Sequence, residues 1–415
     1  MTWFNTLKNT LFFAFLLLFS CAKGQKQSQK TVLPQRVTVT VAMKNNENAV
    51  VGANQTGKYL PLLQGKKVAV VANPTSVIFN KKGYTHLVDS LVANKVNVVK
   101  VFAPEHGFRG TADAGEHVKD GVDQKTGIPI MSLYGKNRKP SAESLQGINV
   151  VVFDIQDVGV RFYTYISTLH YVMEACAEQH IPVIILDRPN PNGFYVDGPV
   201  LEPAHTSFVG MDPIPLVHGM TIGEYGKMLN GEHWLKGGIQ CNLTVITCKN
   251  YNRKESYHLP IKPSPNLPND KAINLYPSLG LFEGTNVNAG RGTHQQFQRY
   301  GASFLNHDVY SFTYTPEPND GAKHPKEEGK VCYGKDLSKT PQLAKVDLKW
   351  LVDAYHNCTD KTKFFIKGFT IHAGTEKLQQ QIEQGMSAEA IAKTWKGDLD
   401  HFKTIRAKYL LYPDF

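Results

Sequence analysis

Residues Ile148–Gly159 read INVVVFDIQDVG, an apolar and mostly β-branched run that ends abruptly in polar residues and a glycine. A near-continuous apolar run of this length is what a strand looks like when both faces of its sheet are covered, as in parallel sheets. Three further stretches share the design: KVAVVANP at 67–74, VNVVKVFAPEHG at 96–107 and IPVIILDRPNPNG at 181–193. Helical stretches lie between them, the clearest being YISTLHYVMEACAEQ at 165–179, with apolar positions near 3.6 spacing. Alternating β and α units predict an open α/β sheet, and such sheets bind ligands beyond the carboxyl ends of their strands. The polar endings of the four runs are therefore expected to meet at one crevice.

Further along, Thr221 and Glu224 have the spacing of a capping box and predict a helix start, and LTVITCKNY (243–251) reads as another strand. The texture changes at about residue 257, where HLPIKPSPNLPND is rich in Pro and Asn and marks a boundary. A second α+β region follows, with a terminal helical stretch from Ser387 to Tyr409. The expected organisation is a signal segment at 1–20, a flexible tether at 21–57, the parallel-sheet domain at 58–256 and a smaller C-terminal α/β domain at 257–415.

With 415 residues, 41% hydrophobic and 20% charged, the chain is neither disordered, collagenous nor polytopic. Its formal charge of +10 suits an anionic partner, but no dense Lys/Arg run indicates nucleic acid. Near the start, Lys8 precedes the apolar run LFFAFLLLF and then Ser20 and Cys21. Such a run is too short to span a bilayer, which takes ~20 residues, so it reads as a signal peptide. LFSC has the form of a lipobox, which makes Cys21 the candidate lipidation site; the alternative is a plain secretory signal. The polar stretch AKGQKQSQK that follows has no acidic cluster. The expectation is a periplasmic lipoprotein, held to the outer membrane by lipid alone. Five other cysteines cannot all pair; Cys241 and Cys248 flank LTVIT and are left open as bridged or free.

The densest polar cluster is PEHGFRGTADAGEHVKDGVD at 104–123, with Glu105, Asp113, Glu116, Asp120, Asp123, His106, His117 and Arg109. Glycosidic cleavage commonly needs one carboxylic acid to protonate the leaving oxygen and a second group at the anomeric centre. Glu105 closes a strand and Glu116 follows on a glycine-rich loop, which suits that division. A metal site built on the two Glu-His pairs is the rival reading, weakened because adjacent residues on a strand face opposite ways; a solvated loop is the plain one. Beyond the next strand, Asp154 and Asp157 either cap a helix or bind hydroxyls, Arg161 is placed to hold an anion, and Tyr163 and Tyr165 either stack on a sugar face or donate hydrogen bonds. DRPNPNG supplies Asp187, Arg188 and Asn190. EGTNVNAGRGT (283–293) supplies Glu283, Asn286 and Arg291, on either a cleft wall or a tight turn. His106 and Asn190 join the candidate substrate-binding residues. No G-x-G-x-x-G turn, G-x-S-x-G elbow or CxxC pair is present, and no cofactor or metal is expected.

The strings APEHGFRG, TGIPIMSLYG, VVFDIQDVGVRFYTYISTL, LDRPNPNG, HGMTIGE, PSPNLP and LFEGTNVNAGRGT, in this order, resemble the NamZ family of exo-β-N-acetylmuramidases from about residue 66 onward. The resemblance implies a Rossmann-like N-terminal domain, a smaller C-terminal α/β domain and an active site in the cleft between them. It also implies release of N-acetylmuramic acid from the non-reducing ends of peptidoglycan fragments. It places the catalytic glutamates on Glu105 and Glu116, and substrate contacts on Arg161, Tyr163, Asn286 and Arg291. The rival class is a non-catalytic cell-wall lipoprotein that uses the same cleft to bind muropeptides.

Overall fold

The computed structural model describes residues 48–109 and 120–415. Seven strands form the central sheet: β1 (Val68–Ala72), β2 (Val98–Ala103), β3 (Gly121–Val122), β4 (Pro129–Ser132), β5 (Val150–Asp154), β6 (Val183–Leu186) and β7 (Leu243–Ile246). Their order is β7-β6-β5-β1-β2-β4-β3, parallel throughout except for β3, which runs antiparallel on the β4 edge. The sheet is thus the open parallel α/β type expected, with every apolar run quoted above forming a strand.

Alternation within each strand explains the double burial. Val71, Phe102, Phe153 and Ile185 face Leu169, Val172 and Met173 of helix α1 (Tyr165–Glu178). Val70, Val101, Val152 and Ile184 face Tyr59, Leu63, Leu87 and Leu91 on the opposite side. Each face is sealed from water, so the strands carry no polar alternation.

From β1 the chain winds outward through β2 to β4, then returns past β1 to build β5, β6 and β7. The direction reverses between β2 and β5, the two neighbours of β1, and a crevice opens outside the carboxyl ends there.

Helix α2 (Ile222–Gly231) starts at the capping box read from the sequence. Thr221 Oγ1 accepts from Glu224 N at 3.2 Å and Glu224 Oε2 accepts from Thr221 N at 2.9 Å. Helix α3 (Asp270–Leu279) opens the smaller C-terminal part, whose sheet comprises β8 (Arg299–Ala302), β9 (Phe312–Tyr314) and β10 (Cys332–Asp336), antiparallel in the order β8-β10-β9. The terminal helical stretch consists of Ala388–Thr394 and α4 (Lys396–Ala407), after which the Tyr412 hydroxyl returns to Asp187 beside β6.

One expectation changes and one open alternative resolves. The tether does not extend to residue 57: Val50 bridges Lys249, and Val51 and Ala53 are buried. Gly52 lies so close to the ends of β6 and β7 that a Cβ would fall 2.4 Å from the Ile246 carbonyl oxygen. Cys241 and Cys248 are both free, because they sit before and after β7 and a strand of that length separates them beyond disulfide reach. Among the described residues no helix is long and apolar enough to cross a membrane. Cys21 lies outside the described residues.

Candidate active site

The tight turn after β2 carries Glu105. Gly107 N donates to the Pro104 carbonyl at 3.0 Å, and His106 takes a left-handed φ of 69°, uncommon for a residue with a side chain. Such backbone conformations persist where surrounding structure over-determines them, often beside functional groups. The turn aims Glu105 across the end of β1 at the residues following β5. There Thr164 Oγ1 donates to Glu105 Oε2 at 2.7 Å, and the Tyr165 hydroxyl reaches the Glu105 and Pro263 carbonyls, both at 3.4 Å. Thr164 is the residue preceding helix α1, yet its hydroxyl makes no capping bond to that helix.

Glu105 and His106 line a cavity of about 510 Å³, within the usual range for small-molecule sites. Its aromatic wall joins Phe162, Tyr163, Tyr276 and Phe297 in a chain of edge-to-face contacts, Phe162–Tyr276 at 5.1 Å and Tyr276–Phe297 at 4.7 Å between centroids. Tyr163 also packs edge-on against Tyr165 at 4.8 Å, and its hydroxyl donates to the Pro263 carbonyl at 2.7 Å. Apolar ring faces beside polar rims suit a sugar ring.

The C-terminal part supplies Glu283, Arg291, Lys326 and His372. Arg291 Nη1 pairs with Glu283 at 3.3 Å and Nη2 donates to the Gly321 carbonyl at 3.2 Å. Lys326 Nζ donates to the carbonyls of Phe282, Glu283 and Thr285, pinning the turn that presents Glu283. Burial pushes the Lys326 ammonium down to about 8. Asn266 also lines the cavity; its amide donates to the Gly321 carbonyl, and its carbonyl oxygen has no hydrogen-bond partner among the described residues.

Of the residues expected at the site, the structure brings Glu105, His106, Tyr163 and Arg291 into this cavity, with Glu283 from the glycine-rich loop. Glu116 and its neighbours Asp113 and His117 lie outside the described residues. Arg161 does not line it. Its guanidinium is buried beneath the cavity wall, with Nη1 donating to the Pro199 and Ile214 carbonyls at 2.6 and 3.0 Å and Nη2 to the His372 and Ala373 carbonyls at 3.2 and 2.6 Å. Those bonds occupy the fork that was expected to hold a substrate anion. Asn190 is buried too, bonded to the Met220 carbonyl and the Asn192 amide at 2.8 Å each. Asn286 is exposed and donates to the Lys363 carbonyl at 2.6 Å, away from the cavity.

The other strand-end charges are consumed within the fold. Arg188 clamps Asp154 through two bonds of 2.6 and 2.9 Å between the ends of β5 and β6. Asp187 accepts from Thr221 Oγ1 and Gly223 N, both at 2.8 Å, so it anchors α2. Arg109 is tied to Asp123 at 2.7 Å and Asp89 at 2.8 Å. Among the described residues no group of three or more His, Cys, Asp or Glu side chains is arranged to hold a metal ion.

Thr164, Tyr276, Asn266, Lys326 and Arg138 were not singled out from the sequence. Thr164 and Asn266 carried a signal, since each lies within a string quoted above. Lys326 and Arg138 carried none, because their place depends on contacts made only in three dimensions.

A carboxylate held at the switch point of a parallel sheet, facing an aromatic wall, is the arrangement of a carbohydrate-processing site on an open α/β sheet. Residues 68–271 match the N-terminal and residues 274–412 the C-terminal model of exo-β-N-acetylmuramidase NamZ, and the chain belongs to that family of glycoside hydrolases. It is 39% identical over 374 residues to the peptidoglycan β-N-acetylmuramidase NamZ of Bacillus subtilis (strain 168), covering 85% of this chain and 89% of the Bacillus protein. Two crystal structures of DUF1343 family proteins from Bacteroides fragilis NCTC 9343 share the fold. One has a TM-score of 0.81 at 46% identity and the other 0.74 at 29%, each covering 88% of this chain and 99% of the other.

Proposed function

We propose that this chain is an exo-β-N-acetylmuramidase that hydrolyses the glycosidic bond of a terminal N-acetylmuramic acid in peptidoglycan fragments. The observation that supports it most is Glu105, held by Thr164 at the edge of a cavity with an aromatic wall, in a chain matched along most of its length by muramidase models.

In the proposed reaction Glu105 gives its proton to the glycosidic oxygen as the bond from that oxygen to the anomeric carbon breaks. Positive charge develops on the sugar ring, where a second carboxylate, Glu116, or the acetamido oxygen of the substrate itself stabilises it. Water then adds its hydroxyl to the anomeric carbon and returns a proton to Glu105, which restores the acid. Tyr163 and Tyr276 hold the ring, while Lys326 and Arg291 keep Glu283 facing it. The test is incubation of the purified chain with muramic-acid-terminated oligosaccharides. Free N-acetylmuramic acid released one residue at a time supports the reading; binding without release would point to the cell-wall binding class instead.

The lipobox ending at Cys21 supports a further proposal about place, a lipoprotein anchored in the outer membrane and facing the periplasm, where such fragments arise.

A further inference from the structure

Apart from its histidines, three basic side chains line the cavity among the described residues: Arg138, Arg291 and Lys326. Lys326 donates to three backbone carbonyls, as many bonds as an ammonium has protons, and Arg291 is paired with Glu283. Arg138 differs. It lies on the segment after β4, one strand beyond the β2 that delivers Glu105, and it makes no hydrogen bond or ion pair among the described residues. Its guanidinium instead lies over the ring of Phe208, 4.4 Å from the centroid. Phe208 is buried and nearly parallel to Tyr171, with centroids 6.2 Å apart and 10° between planes. A guanidinium resting on a fixed ring keeps its edge N–H groups for a planar anion, and the aromatic face restricts its orientation. Ser207, next to Phe208, lines the same wall, and its hydroxyl has no hydrogen-bond partner among the described residues.

Muramic acid differs from glucosamine by a lactyl ether at O3 that ends in a carboxylate. We propose that Arg138, stacked on Phe208, binds that carboxylate and so sets the preference for muramic acid over glucosamine. The inference rests on the muramidase reading above and names the residue that enforces its specificity. The carboxylate is remote from the bond that breaks, so the contact is made in ground state and transition state alike. Its loss is therefore read in KM rather than kcat.

The experiment uses the full chain as wild type, Arg138→Lys and Arg138→Met, with three aryl glycosides: the β-N-acetylmuramoside, its lactyl carboxamide and the β-N-acetylglucosaminide. Arg138→Met should raise KM for the muramoside on the order of 10–100-fold, the range for a lost charged hydrogen bond, with kcat nearly unchanged. Arg138→Lys should fall between, because it keeps the charge and loses the fork. On the carboxamide and the glucosaminide the variants should match wild type. A muramoside-to-carboxamide ratio unchanged by Arg138→Met overturns the proposal, as does an equal loss of kcat on all three substrates. Calorimetric titration with free N-acetylmuramic acid separates the two readings. If wild type turns over nothing yet binds the sugar, and Arg138→Met does not, the muramidase reading fails while Arg138 stands. If wild type and Arg138→Met bind it equally, Arg138 is excluded whatever the turnover.

Discussion

The Thr164 hydroxyl donates to Glu105 Oε2 over 2.7 Å, joining the turn that follows β2 to the residue that precedes helix α1. The two side chains come from opposite sides of β1 and meet where the winding direction of the sheet reverses. A threonine in this position ordinarily caps its helix. Here the hydroxyl instead fixes one carboxylate oxygen of Glu105. Fixing a catalytic group in its productive geometry is a general source of rate.

Thr164→Val keeps the β-branched shape and removes only the donor. Because the hydroxyl caps nothing, thermal stability should change little, whereas kcat/KM on muramosides should fall about tenfold or more. Melting temperature and kinetics measured on one preparation check this. A large drop in melting temperature with kcat/KM intact would assign Thr164 to the fold instead.

Arg161 is expected to be structural. Its two terminal nitrogens bond four carbonyls, two of them at His372 and Ala373, so it fastens the His372 segment to the β-sheet part of the molecule. Gly374 must be a glycine beside it, since its φ is 78° and a Cβ would fall 2.4 Å from Arg161 Nη2. Burial pushes the guanidinium down to about 9. Arg161→Lys should lower unfolding free energy by about 2–4 kcal/mol, from carbonyls left unbonded in the interior. The preference of the surviving folded enzyme between muramoside and glucosaminide should persist. Denaturant unfolding and substrate ratios measure the two halves of this expectation, and a lost preference with unchanged stability would contradict it.

Asp157 titrates within the buried core. Burial pushes its carboxyl up to about 7, against which only backbone amides act, among them Gly159 N at 2.7 Å. The imidazole of His218, 3.7 Å away, is itself pushed down to about 3 by burial and by Arg406 and Arg161. A carboxyl raised on folding binds its proton more tightly in the native state. Stability from this group is therefore fully present below its unfolded value near 4 and is lost as pH rises to about 7. Asp157→Asn should flatten the decline of melting temperature across that window relative to wild type. Parallel wild-type and variant profiles would show that Asp157 does not titrate there.

The strands and Glu105 were legible in the sequence because both depend on local pattern. An apolar run sealed on two faces carries its own signature, and a glutamate directly after such a run has its position set by the strand. Arg161 was not legible as a structural residue, since three of its four carbonyl partners lie more than 50 positions away and the fourth, Pro199, 38 away. The same holds for Asp154 and Arg188, whose pairing depends on β5 and β6 being neighbours. Strand-end charges look alike in a sequence whether they bind a substrate or each other. Arg138 had no motif at all, because stacking on Phe208 joins two loops 70 residues apart.

The location proposal makes a separate prediction. Cys21→Ser removes the thiol that would carry lipid and should move the protein from the membrane to the soluble periplasmic fraction. Unchanged membrane partition on fractionation would rule out a lipid anchor at Cys21.

The most direct test of the proposed chemistry is Glu105→Gln, which keeps the side-chain shape and the Thr164 contact but has no proton to give. Cleavage of a muramic-acid-terminated disaccharide, whose leaving group is a poor one, should fall on the order of 10²–10⁴-fold. Cleavage of an activated aryl muramoside, which hardly needs protonation of its leaving group, should suffer far less. Undiminished cleavage of both substrates by Glu105→Gln, or equal loss on both, would contradict Glu105 as the proton donor.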